Sequence, residues 1–422
     1  MRGRSKAILL VVVGVAAIVV LYAVQIWIAD LTAAGGPHVV YGAIMVAAGA
    51  LQSLALFGFY RVLSACDVPI NHWIAGSVIA MVLLSVVNAA NTDIDASAYI
   101  GRAKLAAWHD AYRPPPVSFH GQGFDIINVQ WGPQLPANVY GPLWLLIDRL
   151  VVRHIPTYAA ALLSLRLCNV AILLGMLAAL GALRQPRGII AVIALNPMVY
   201  FYYVVQAHND LLAVALVVAG MAIAQRRPLL GALAASTAGL VKILFVALAT
   251  FAYAGRRDLR FSLLAFGLSA GLVLLISALF GGSDYFAAMY TMGIKQIAAR
   301  ADTAHLTSIV LHVIAAGIAV VAFLWAFVGG RFGAPATYSY AAISTIIYPW
   351  YLGWCTPYAL RVSTFTAMFF ISLPALGHLI DPHFPLFARH SFAVVDLCLV
   401  ALILWAVLDR ALRTSDLRHA ST

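Results

Sequence analysis

Asp95, Tyr99 and Arg102 fall at i, i+4 and i+7 within Thr92-Asp93-Ile94-Asp95-Ala96-Ser97-Ala98-Tyr99-Ile100-Gly101-Arg102. Wound into a helix, that spacing puts an acid, a phenol and a cation on one face and turns Asp93 away by about 200°. A carboxylate held beside apolar neighbours gains proton affinity, which suits a general base that deprotonates a hydroxyl. Asp93 is the rival for that role. The plainer alternative is a solvated helix start, with Thr92 or Asp93 as its N-cap.

Other chemistry-bearing residues are set among apolar ones. His208, Asn209 and Asp210 lie between Val204-Val205 and the apolar stretch 211–224, where ionisable groups are expensive unless they face a cavity. The alternative there is that Asn209 or Asp210 only caps the following helix. Lys242 interrupts the apolar stretch 240–249, placed either to meet a lipid phosphate or to snorkel to an interface. Lys295, Arg300 and His305 could hold a phosphate or pyrophosphate, or be solvated loop residues. Tyr348-Pro349-Trp350-Tyr351 belongs to an aromatic cluster, read as an interfacial belt or as a platform for a sugar ring. Cys66, Cys168, Cys355 and Cys398 show no paired spacing, so neither a disulfide nor a metal site is expected.

The elements that position these groups must cross a bilayer. The 422-residue chain is 63% hydrophobic and 10% charged, with a mean hydropathy of +0.94, and water cannot be its main solvent. Apolar runs sized for a hydrocarbon core of about 30 Å recur throughout. Crossings are expected at 7–28, 39–60, 73–90, 157–183, 188–205, 210–224, 229–255 (as one span or a broken hairpin), 261–281, 307–328, 336–350, 352–380 (as one piece or two) and 391–409. The fold class is therefore an all-α polytopic membrane protein of about 11 to 14 transmembrane helices, forming one domain over 1–422. The run at 7–28 is long for a signal peptide and is read as a retained helix.

The net charge of +11 comes from small basic clusters at the ends of apolar runs, which excludes a nucleic-acid surface and sets topology. With Arg2, Arg4 and Lys6 inside, Arg61, Arg184, Arg187, Arg226, Arg227, Arg256, Arg331 and Arg410 fall at cytoplasmic ends. Both termini are then cytoplasmic, and most of the acidic residues, all of them Asp, lie outside. Residues 91–155 form a long extracytoplasmic segment broken by Pro114, Pro115, Pro116, Gly121, Gly123 and Pro133, and such long loops usually carry function. Within it 140–152 has the pattern of an interfacial amphipathic helix, Trp144, Leu145 and Leu146 alternating with Asp148 and Arg149. A second outer loop is expected at 281–307.

In order, these motifs resemble the GT-C superfamily of membrane glycosyltransferases that use polyprenyl-phosphate sugars, most closely its bacterial mannosyltransferase-like branch. The resemblance rests on Asp95 four before Tyr99, Gly101-Arg102, Ala111-Tyr112-Arg113-Pro114, Tyr140-Gly141-Pro142-Leu143, His208-Asn209-Asp210, Lys242 and Pro349-Trp350-Tyr351, over about residues 90–360. Two features depart from it. The outer loop follows the third helix, so residues 1–72 read as additional helices, and Asp110-Ala111-Tyr112 stands where relatives have Asn-Pro-Tyr.

The resemblance implies sugar transfer, mannose favoured, with inversion, from a polyprenyl-phosphate donor to a lipid or glycan acceptor on the extracytoplasmic face of a bacterial plasma membrane. Asp95 would be the base. Tyr99, Arg102, Tyr112, Tyr140, His208, Asn209, Asp210, Lys242, Lys295, Arg300, His305, Trp350 and Tyr351 would bind substrate or phosphate. No cofactor is expected to be required, although two nearby carboxylates keep a divalent cation open. A monomer embedded among membrane lipids is the expected state. The competing class is a polytopic transporter or lipid flippase, which should show an inverted or parallel repeat that this sequence lacks.

Overall fold

The computed structural model describes residues 2–33, 38–65, 71–88, 94–114, 119–249, 258–303, 353, 356 and 363–379. Among them there is no strand, and the helices run α1 (Arg2–Ala33), α2 (His38–Ala65), α3 (Asn71–Val87), α4 (Ile94–Lys104), α5 (Asp125–Trp131), α6 (Pro142–Val152), α7 (Tyr158–Ala182), α8 (Arg187–Ala194), α9 (Asp210–Ala224), α10 (Pro228–Ser236), α11 (Phe245–Ala249), α12 (Leu259–Thr303) and α13 (Ser363–Leu379). Four stretches, Ala7–Thr32, Val39–Leu63, Tyr158–Ala182 and Leu259–Met292, are long and apolar enough to cross a membrane, and α8 with Val199–Val205 makes a fifth bent by 52°. The chain is an all-α polytopic membrane protein. The crossings expected at 307–328, 336–350 and 391–409 lie outside the described residues.

Solvent choice shows in what these helices leave exposed. On α1, Val11, Val15, Ile18 and Tyr22 face the interior, while Leu9, Leu10, Val20 and Trp27 stand outward, an arrangement that lipid tolerates and water does not. Without a hydrophobic drive between helices, association relies on close packing, and small residues supply it. Gly220 of α9 lies against Ala235 of α10, a Cβ there standing 2.5 Å from Ala235 Cβ, and Gly231 of α10 is equally tight against Ala224. Gly49 of α2 likewise meets the Pro374 carbonyl of α13. At that crossing Gln52 Nε2 donates to Gln25 Oε1 at 2.9 Å, and Gln25 Nε2 lies 2.8 Å from His378 Nε2. The amides thereby satisfy polar groups that lipid cannot.

Two interruptions shape the centre of the molecule. Pro197 ends α8, and Asn196 bridges the break, its Oδ1 accepting from Met198 N at 3.1 Å and its Nδ2 donating to Phe370 O at 2.7 Å. The chain resumes as a π-helix over Val199–Val205, a form frequent at functional sites. The second interruption lies between Thr237–Leu240 and α11, so 229–249 is broken as the hairpin alternative allows, and Lys242 occupies the break.

The long segment after α3 is built, not loose. α4 packs on α5, α6 and α7, and α6 packs on α7. The amphipathic helix expected at 140–152 is present as α6, with Pro142 in its first turn, but it is turned differently from the sequence pattern. Trp144, Leu145, Asp148 and Val152 face inward, whereas Leu146 and Leu150 are 47% and 75% exposed. The i, i+4 stripe that meets α4 and α7 takes the acid inside, and the outward leucines are suited to acyl chains. The segment read as a second outer loop is helical as far as Thr303, broken only at Gly282, whose φ of 58° breaks the helical path.

Because the α9–α10 contact has no room for a side chain, Gly231→Leu should destabilise the protein by about 1–3 kcal/mol through overpacking. Thermal unfolding in detergent reads this as a lowered Tm, while Gly175→Leu on lipid-facing α7, where a Cβ meets nothing, should leave Tm unchanged.

Candidate active site

α4 realises the spacing of its residues, and the structure brings the far-apart motifs to it. Tyr99 and Arg102 are buried on its inner face, at 1% and 4% exposure, while the Asp95 side chain stays 29% exposed at the rim. Tyr140 Oη donates to Asp95 Oδ2 at 3.3 Å. His208 Nδ1 lies 3.6 Å from the same oxygen, its side chain fully enclosed. Lys242 Nζ pairs with Asp210 Oδ1 at 2.7 Å, both groups withdrawn from solvent, and stands 5.3 Å from the Tyr140 ring centroid. Arg102 lies over the same ring at 5.9 Å. Tyr140 is thus the plate around which an acid, an imidazole and two cations assemble.

Tyr140-Gly141-Pro142 holds this plate by backbone. Gly141 N donates to Val241 O at 2.8 Å, one residue before Lys242. A Cβ on Gly141 would fall on the Leu240 carbonyl, so only glycine lets the two segments meet. Tyr99 packs edge-on against Tyr140 and Trp144, at 5.2 and 5.3 Å between ring centroids. Burial pushes the Tyr99 hydroxyl well above its ordinary pKa, and Tyr140 and Asp95 add to the shift, which keeps it a neutral donor.

His208 is presented by a turn that α7 fixes. Asn169 Nδ2 donates to Tyr203 O at 2.6 Å and to His208 O at 3.1 Å, and Arg166 Nε donates to Val205 O at 3.0 Å. Arg166 Nη1 also reaches the Asn88 carbonyl, tying the end of α3 to the same turn. Ala207 takes a φ of 57°, a strained value for a residue with a Cβ. Asn209 is fully buried at the N-cap of α9 without a capping side-chain bond, and Asp210 is turned to Lys242. The capping alternative therefore accounts for neither side chain.

Not every candidate arrives at this cluster. Tyr112 packs with Ala111, Leu145 and Tyr285 in a separate small core. Arg102 does arrive, over the Tyr140 ring, and its Nη2 also donates to Pro136 O at 3.1 Å, so this cation braces the loop as well. The side chains of Lys295 and Arg300 on α12, and all of Asp93, His305, Trp350 and Tyr351, lie outside what the structure describes. No group of three His, Cys, Asp or Glu side chains converges among the described residues.

Sequence reasoning passed over Arg166 and Asn169, polar interruptions of an apolar helix, and misplaced Asp148. Asp148 is 1% exposed, and its Oδ1 has no hydrogen-bond partner among the described residues. Burial holds its carboxyl well above the usual carboxylate range, against the pull of Arg102 and Arg149.

The helix set and this polar cluster define a membrane enzyme with a part-open carboxylate above buried cations. The chain belongs to the MptA_B family, alpha-(1→6)-mannopyranosyltransferase, whose N-terminal-domain model matches residues 5–255. It is a glycosyltransferase of the mannosyltransferase type, and the match takes in α1 and α2, which the sequence reading set apart. No curated protein and no solved structure matches it.

Lys242→Ala should take the ion pair from the buried Asp210 carboxylate, destabilising by about 3–5 kcal/mol. Lys242→Met with Asp210→Leu should restore most of the lost stability in chemical unfolding without restoring transfer. For Asp148 the folded-state pKa is raised, so the unfolded chain loses the proton first and stability falls as pH rises above about 3.8. Asp148→Asn should flatten that fall, checked by Tm between pH 4 and 8.

Proposed function

We propose that the protein transfers mannose from a polyprenyl-phosphate donor to a mannose-containing lipid or glycan acceptor, with inversion, on the extracytoplasmic face of a bacterial plasma membrane. Asp95 is the general base. Its carboxylate accepts the proton of the acceptor hydroxyl as that oxygen bonds to the anomeric carbon and the bond from that carbon to the phosphate oxygen breaks. The single observation that carries this reading is the position of Asp95, part-exposed at the rim while Tyr140 and His208 hold its Oδ2 from below.

Each neighbour has a task in this scheme. Tyr140 donates to Asp95 and orients the carboxylate toward the incoming hydroxyl. The phosphate leaving group gains negative charge in the transition state, and preorganised cations in a dry site meet that charge most effectively. Lys242 and His208 are the groups that do so, and Asp210 holds the Lys242 ammonium in place. Lys295 and Arg300, with His305, are assigned to the donor phosphate at entry, and Trp350 and Tyr351 to the sugar ring. A lipid monophosphate needs little charge compensation, so no metal is required in this scheme. The protein acts as a monomer with both termini cytoplasmic.

The test is transfer of radiolabelled mannose by the purified protein in lipid, with polyprenyl-phosphate mannose and a nucleoside-diphosphate mannose as alternative donors. Asp95→Asn should lower kcat by about 10²–10⁴-fold while the thermal transition is retained. Asp93→Asn should stay near wild type. Transfer from the nucleotide sugar alone would discard the lipid donor, and an active Asp95→Asn would discard the base.

A further inference from the structure

Asp95 sits in the first turn of α4, one residue after the helix begins at Ile94. The first turn is where a helix frays, because its N–H groups lack intrahelical partners. A carboxylate there keeps one direction only if a group outside α4 holds the turn.

Trp131 does so from the end of α5. Its indole N–H is shared between Ile94 O at 3.2 Å and Ser97 Oγ at 3.0 Å, and Ser97 Oγ in turn donates to Ile94 O at 2.7 Å. The Ile94 carbonyl belongs to the planar peptide unit that also contains the Asp95 nitrogen. Two donors on that oxygen therefore fix the plane from which the Asp95 side chain departs, while Tyr140 Oη holds the far end of the side chain at Oδ2. Ser97 is fully buried, so water does not compete for its hydroxyl.

The indole is itself held. Trp131 is the last residue of α5, and Gly132 follows with a φ of 74° and closes the helix by donating to Asn128 O at 2.8 Å. Asn128 Nδ2 donates to Phe119 O and its Oδ1 accepts from Phe119 N at 3.3 Å, and Asp125 Oδ2 accepts from Gly121 N at 3.1 Å. α5 is thus tied to the loop before it. Gly101 lets this unit close on α4, since a Cβ there would stand 2.8 Å from Leu135 Cδ1 and 3.4 Å from Ile127 Cγ2.

We infer that Trp131 is a positioning residue for sugar transfer, acting with Ser97 through the Ile94 carbonyl to aim the Asp95 carboxylate at the acceptor hydroxyl. The inference rests on Asp95 as the base, proposed above, and adds what keeps that base in register. Without the indole N–H the carboxylate is still present but misdirected. The loss therefore falls on the chemical step and not on binding, because a small misplacement of a catalytic group costs rate while leaving the substrate contacts intact.

The experiment measures mannose transfer from polyprenyl-phosphate mannose to octyl α-mannoside by the full chain in lipid. Wild type, Trp131→Phe, which keeps an aromatic ring and loses the N–H, Ser97→Ala and the double variant are compared by kcat, both KM values and Tm. The expected result is a kcat lowered about tenfold by Trp131→Phe and less by Ser97→Ala, with both KM values and Tm held. Because the two groups act on one carbonyl, the double variant should lose less than the product of the single losses. In an Asp95→Asn background Trp131→Phe should cost nothing further. Should Trp131→Phe fail to fold, Ser97→Ala, which removes one atom, carries the same comparison in both backgrounds. A wild-type kcat in both single variants overturns the inference and leaves the parent reading standing. A raised acceptor KM at unchanged kcat gives Trp131 to acceptor binding and overturns it as well. So does a loss of rate that a lowered Tm accounts for in full, or a Trp131→Phe effect as large in the Asp95→Asn background as in wild type. A fully active Asp95→Asn removes the parent reading and this inference together.

Discussion

An ammonium and a carboxylate withdrawn from water are each expensive, and in a low dielectric only a close partner offsets that expense. Lys242 and Asp210 stand 2.7 Å apart in this situation, one from the break before α11 and the other from the first turn of α9. Their pairing pins two chain interruptions together at the centre of the helices. Once they are pinned, the Gln206–His208 turn lies under α4 and the Gly141 backbone can dock on Val241. Tyr140 is then carried over Lys242 and up to Asp95.

The same constraint explains why so many backbone irregularities meet here. A regular transmembrane helix satisfies all its own amides and has nothing to offer a substrate. The π-helix over Val199–Val205, the positive φ at Ala207 and the break around Lys242 release backbone groups, and Arg166, Asn169 and Asn196 satisfy several of them. These three residues contribute no chemistry, yet without them His208 would lack a fixed address. Rigidity at the base of the site contrasts with its rim, where Asp95 keeps partial contact with solvent.

Lipid supplies the second organising condition. α6 takes Asp148 inward with Trp144, Leu145 and Val152 and leaves Leu146 and Leu150 outward, a distribution suited to acyl chains. A membrane mannosyltransferase has to place a polar site among lipid-facing helices, and α4 to α7 do so here.

Periodicity and composition alone determined that the chain is helical and membrane-embedded, because apolar length and 3.6-residue spacing are local properties that need no partner to be read. They also put Asp95, Tyr99 and Arg102 on one face of a helix, and marked His208, Asp210 and Lys242 as costly polar groups among apolar neighbours. Only the tertiary structure decided which of these meet. The Asp95 contacts with Tyr140 and His208 and the pairing of Asp210 with Lys242 span 45, 113 and 32 residues of sequence, and no local rule links such distances. The structure also decided that Arg102 braces a loop, that Tyr112 belongs to a separate core with Tyr285, and that Asp148 faces inward. Which side of a short helix is buried depends on what packs against it, and for α6 that is α4 and α7, placed by contacts the sequence of α6 does not contain.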